Sequence, residues 1–197
     1  MSTGAAAYTL AYQLSPIYLL DGIASSLPGK VLPLATITEG PNFTYSALLG
    51  KPAINVNDFF ANWEPLPGTT LISNDVGQYP FANQAIAANA IITQPLVVSM
   101  KMTCPVNKGY LLRTATMTTL KLTIQKHINM GGLFAVATPS YFFLNCLLLN
   151  MRDISSGGSN QKHFAWQLDF QQPLVTENAA AQANADFINK IAVGQVP

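Results

Sequence analysis

The sequence predicts an α+β domain: a mostly antiparallel sheet, rolled or closed into a barrel or sandwich, flanked by one long helix and a C-terminal helix. Three observations predict it. Residues 96–104 (LVVSMKMTC) and 164–170 (FAWQLDF) alternate apolar and polar side chains with a period of two, the mark of a half-buried strand. Residues 111–130 repeat apolar positions at helical spacing and stop at Gly131-Gly132. Between them recur short apolar runs bounded by Gly, Pro, Asn and Ser, as strands in sheets are.

Composition narrows the class. A chain of 197 residues suffices for a single domain with a real core. Only 10% of residues are charged, against roughly 25% in a typical soluble domain. With a mean hydropathy of +0.25, a membrane protein is the first explanation to test. No run of about 18 uncharged apolar residues exists, however. The best stretch, 141–151 (YFFLNCLLLNM), is short, holds Asn145 and Asn150, and is followed at once by Arg152 and Asp153. The remaining explanations are a subunit whose surface is consumed by neighbours, because interface cores are depleted in charge, and an unusually neutral monomer. Ten basic and nine acidic residues leave a net charge of +1, scattered along the chain, so no basic face for nucleic acid is expected. The opening MSTGAAAYTLAYQL lacks Lys and Arg, and no secretory signal is expected from it. Cys104 and Cys146 follow no metal spacing; two buried free thiols are the commoner case, with a disulfide open in principle.

In chain order, residues 1–14 are small and apolar and suggest an arm. Residues 15–40 (SPIYLLDGIASSLPGKVLPLATITEG) read as a hairpin of two apolar runs, with Pro16 and Pro33 restricting them to edges or strand beginnings. So apolar and weakly charged a hairpin points to an interface with another subunit, through Ile17, Leu19, Leu32, Leu34 and Ile37. Residues 40–70 combine four prolines with Phe43, Tyr45, Phe59, Phe60 and Trp63, a long loop anchored by aromatics. Phe59, Phe60 and Trp63 extend the expected contact surface. Residues 70–73 suggest a short strand, with Asn74-Asp75 and Gly77 as turn formers, and Ala-rich 81–92 a short helix. The strand 96–104 follows, and then the helix 111–130, with Leu112, Ala115, Leu120, Ile124 and His127 or Ile128 on its buried stripe. Leu133–Ala137 and 141–150 read as two buried strands, and 164–170 as the clearest amphipathic one. The chain closes with a helix over about 177–191, with Thr176 as N-cap and Phe187, Ile188 and Ile191 as its apolar edge.

Chemistry is scarce. Only His127 and His163 could act as histidine bases, and a helix end or a strand entrance explains each. The nine acids are dispersed; Asp169, on the polar side of its strand, reads as a solvated or salt-bridged acid rather than a catalytic one. No phosphate loop, nucleophile elbow or metal cluster appears. No catalytic residue, cofactor or metal site is therefore expected.

The stretch at 15–40, the segment NDVGQYPFANQAIAANAIITQPLVVSMKMTCP, and HINMGGLFAVATPS followed by FAWQLDFQQPL resemble small baseplate and tail-tube-associated proteins of contractile-tailed bacteriophages. The resemblance covers roughly residues 15–190. It implies a virion tail protein assembled in the host cytoplasm, with no catalytic residues, forming a ring of six copies that joins the tail tube to the baseplate. Its partners would be copies of itself and neighbouring tube and baseplate proteins, with neither a membrane nor a specific nucleic acid. A closed ring occupies every edge, which turns an exposed apolar edge from a hazard into an assembly device. The alternative is a carbohydrate- or receptor-binding attachment module, with Trp63, Phe59 and Phe60 as its stacking platform.

Overall fold

The computed structural model describes residues 15–38, 61–80, 86–105, 110–155, 163–174 and 177–195. Its strands are β1 (Ile17–Leu20), β2 (Val31–Pro33), β3 (Asn62–Pro65), β4 (Asn74–Pro80), β5 (Ile86–Thr93), β6 (Leu96–Pro105), β7 (Leu133–Ala137), β8 (Phe142–Asp153) and β9 (His163–Gln172). Its two long helices are α1 (Tyr110–Asn129) and α2 (Glu177–Gln195). Seven strands form one sheet in the order β2-β1-β7-β8-β9-β6-β3, with every neighbouring pair antiparallel. β4 and β5 form a separate two-stranded sheet. The domain is thus α+β and mostly antiparallel. β2 and β3 end the large sheet, and no ladder joins them among the described residues.

One face of the sheet packs on α1. Val98, Met100, Met102 and Cys104 of β6 and Leu168 and Phe170 of β9 are fully buried, as their alternation requires. They share a core with Ile17 and Leu19 of β1, Phe134 and Val136 of β7, and Met117, Leu120 and Ile124 of α1. Spacings of three and four residues place those α1 side chains on one stripe, which also takes in Thr116 and His127. Ala115 and Ile128 lie off it and are exposed. The helix ends in a Schellman motif: Gly131 adopts φ 72°, its N–H bonds Ile128 O at 2.9 Å, and Gly132 N–H bonds His127 O at 2.9 Å.

α2 covers the opposite face, but only over β2, β1, β7 and the first half of β8. Phe187, Ala183 and Ile191, four residues apart, pack on Tyr18, Leu20, Val31, Ala135 and Leu144. Phe187 meets Tyr18 edge-on, with ring centroids 5.6 Å apart. Ile188 points outward. β1 and β7 are therefore buried on both faces, which is why they read as continuous apolar runs rather than alternations. β8 leaves this sandwich halfway along, aided by two register shifts. Asn145, with φ 54°, sits at the first, and the second falls between Leu148 and Asn150.

Three expectations are corrected. Residues 81–92 are not helical where described: Ile86–Thr93 is a strand paired with β4, because a cross-strand ladder outweighs the helix propensity of alanine. Asn74, Asp75 and Gly77 lie inside β4, with a register shift after Gly77, and the strand starts at Asn74 rather than Thr70. The second run of the opening hairpin is a strand only over Val31–Pro33, and residues 34–38 turn helical.

Candidate functional site

The opening hairpin is corrected most. Ile17, Leu19 and Leu34 are fully buried in the chain's own core, and Leu32 and Ile37 pack against it half-buried. Their apolar character serves a strand sandwiched between α1 and α2, so Ile17, Leu19 and Leu34 offer no surface to a neighbour. Trp63 lies opposite Met102 on the inner face of the sheet and packs on the same core. Its Nε1 is buried and finds no acceptor among the described residues. An inward indole is unsuited to a stacking platform. Phe59 and Phe60, the arm at 1–14 and most of the loop at 40–70 lie outside the described residues.

The surface left uncovered is elsewhere. β4 and β5 make no extensive packing with any other described element. Val76 and Ile91 face each other across the ladder, with Asp75 opposite Ile92 next to them. Ile91 is 74% exposed, Ile72 at the hairpin base is 80% exposed, and Leu71, Val76 and Ile92 are about half exposed. Asp75 is the only charge in the two strands. The hairpin base is closed by Gln94 N–H to Ser73 O at 2.7 Å. A second group of exposed apolar side chains lies on the outer face of the large sheet. Val97 and Leu147 both pair with Gln171 in register, and Leu149 and Leu174 are exposed as well.

Polar groups cluster on that same outer face. The Asp169 carboxylate accepts hydrogen bonds from Ser99 Oγ at 2.6 Å, Gln167 Nε2 at 2.7 Å and Arg152 Nη2 at 2.6 Å. The β8–β9 register makes this possible by setting Arg152 opposite Gln167 and Asn150 opposite Asp169. Burial raises the carboxyl's pKa, but the hydrogen bonds from Ser99 and Gln167 and the Arg152 charge outweigh it, so Asp169 ionises below its ordinary range. Three donors engage it, two on Oδ1 and one on Oδ2. The expectation of a salt-bridged strand acid describes it well.

His127 is likewise engaged on both sides. Nε2 is 2.9 Å from Leu133 O, and Nδ1 accepts from Ile23 N–H at 3.4 Å. The ring stacks edge-on against Phe134, 4.9 Å between centroids. Gly22 and Gly132 flank it so closely that a Cβ on either would strike the imidazole. His163 opens β9 opposite Pro105. Cys104 and Cys146 are buried free thiols, and burial pushes Cys146 up to about 12. A groove of about 210 Å³ between α2 and β8 is lined by Leu144, Asn145, Asp186 and Lys190 among others. Among the described residues no His, Cys, Asp or Glu cluster is placed to hold a metal. Likewise, no described helix is long and apolar enough to cross a membrane. The chain matches no protein-family model and no curated relative.

Proposed function

We propose that this chain is a structural, non-enzymatic subunit of a contractile bacteriophage tail, joining with copies of itself into a ring between tail tube and baseplate. The observation that carries the reading is the β4–β5 hairpin, which makes no extensive packing with any other described element and leaves Ile72 and Ile91 largely, and Val76 and Ile92 about half, exposed. A lone two-stranded hairpin is marginal in water and is stabilised when a further strand or apolar surface covers it. Full burial of each Ile or Val side chain contributes about 1.5–3 kcal/mol. The occupant we assign is a second copy. The same chain carries both the hairpin and a second set of exposed apolar side chains, Val97, Leu147, Leu149 and Leu174. A contact between unlike patches of identical subunits repeats head to tail, and it closes into a ring when the rotation allows. The scarcity of charge supports the same reading, since too little charge remains to keep copies apart.

The phage setting and the ring of six rest on the resemblance of the sequence segments quoted above. The experiment is imaging of the parent particle with this chain tagged at its C-terminus. The tag is expected as a ring at the junction of tube and baseplate. Its location on the capsid, or its absence from the particle, would overturn the assignment.

A further inference from the structure

The loop between β1 and β2 is held in an unfavourable conformation by a buried imidazole. Asp21 adopts φ 55°, ψ −138°, and Lys30 at the other end of the loop has φ 54°; both are non-glycine residues at positive φ. Gly22 and Gly29 are at positive φ as well. Such a segment stays closed only where surrounding contacts over-determine it. Beside the turn's own internal hydrogen bonds, three contacts close its ends and tie it to α1 and α2. Asp21 N–H bonds Lys30 O at 3.0 Å, the Asp21 carboxylate lies 3.6 Å from Lys190 Nζ on α2, and Ile23 N–H donates to His127 Nδ1.

The third contact has a defined protonation state. Leu133 O can only accept, so Nε2 must carry the proton; Ile23 N–H can only donate, so Nδ1 must be bare. One neutral tautomer satisfies both. A second proton would set an N–H against an N–H in a site where the ring lies close against the backbone of Gly22 and Gly132. We propose that His127 is a pH-operated latch: neutral, it holds the 21–30 loop closed against α1, and protonated, it releases that loop while the sheet stays folded.

The charged groups around the latch set the strength of the response. The loop contributes Asp21, which favours the imidazolium, and Lys30 at its far end; α2 contributes Lys190, paired with Asp21. On α1 the neighbouring Lys126 is exposed, and the β7 segment at Gly132–Phe134 carries no titratable side chain. Burial outweighs the Leu133 hydrogen bond and Asp21 and lowers the His127 pKa below its ordinary 6.5. The closed state therefore binds its proton more weakly than the open one. Opening is pH-independent above 6.5 and grows as pH falls, by up to about tenfold per pH unit, until the closed-state value is reached.

The test is amide exchange by NMR on the full chain between pH 7.5 and 5, corrected for the intrinsic rate. Amides of residues 22–30 should open more at pH 5 than at pH 7.5, while those of β6 and β9 hold their protection. H127Q should reduce the loop's pH ratio to one. If that variant does not fold, two charge variants decide. D21N removes the charge that favours imidazolium in the closed state and should enlarge the ratio, whereas K190Q frees Asp21 and should shrink it. Loss of the Asp21–Lys190 pair alone would loosen the loop equally at all pH values. A loop whose exchange ignores pH, a response shared by β6 and β9, or a ratio that moves the same way in D21N and K190Q would overturn the latch.

Discussion

Replacing Asp169 by Ala separates the hydrogen bonds of the outer-face cluster from its ion pair. The Asp169 side chain is 9% exposed, whereas that of Arg152 is 60% exposed, so water rehydrates the guanidinium once its partner is gone. The Arg152 contribution is thereby limited to about 1 kcal/mol or less. Ser99 Oγ and Gln167 Nε2 are half-buried donors that lose their common acceptor, and hydrogen bonds to a charged group contribute about 1.5–3 kcal/mol. Asp169→Ala should therefore cost about 2–3 kcal/mol in urea denaturation, equivalent to about 5–10 °C in Tm for a domain of this size. Arg152→Ala should cost at most about 1 kcal/mol. The acid limb gives an independent reading. With its pKa below the ordinary 3.8, the carboxylate stabilises the fold fully above that value, and the contribution disappears as pH falls through the lower folded-state value. Asp169→Asn should lack this acid-dependent component. Equal costs for Asp169→Ala and Arg152→Ala, or an acid limb that Asp169→Asn leaves unchanged, would refute the division.

Four further predictions follow from packing. Leu34→Asp buries a carboxylate in the core, so circular dichroism should report an unfolded chain rather than a folded one deficient in assembly. Gly132→Ala drives a methyl into His127 and should lower stability by about 1–3 kcal/mol by overpacking, measured in urea. Gly131→Ala meets open space and should cost only the left-handed backbone conformation, about 1–2 kcal/mol. Trp63→Phe deletes an indole N–H that has no acceptor among the described residues, and its Tm should match the parent's or exceed it slightly.

These residues also show where sequence was informative. β6 and β9 were legible because one face meets the core and the other does not, so burial was written into their alternation. β1 carried no such code. α2, more than 150 residues along the chain, covers its second face, and an apolar run buried on two sides reads the same as one waiting for a partner. β5 was hidden by alanine, whose helix propensity is overridden once a neighbouring strand supplies the ladder. The Asp169 cluster was invisible for a related reason: Arg152 reaches Asp169 only through the β8–β9 register. The exposed hairpin is masked twice, because Asn, Asp and Gly in its first strand have the composition of a turn and the alanines of its second that of a helix.

The proposed assembly joins identical chains through that hairpin, and the molar mass of the purified chain by light scattering, compared with a Val76→Asp, Ile91→Asp variant, tests it. The pair faces across β4 and β5 outside the core, so the variant should keep the parent's core stability. The parent should elute as a closed oligomer and the variant as a folded monomer. A parent that is a stable monomer at micromolar concentration, or a variant of unchanged oligomeric mass, would contradict the account.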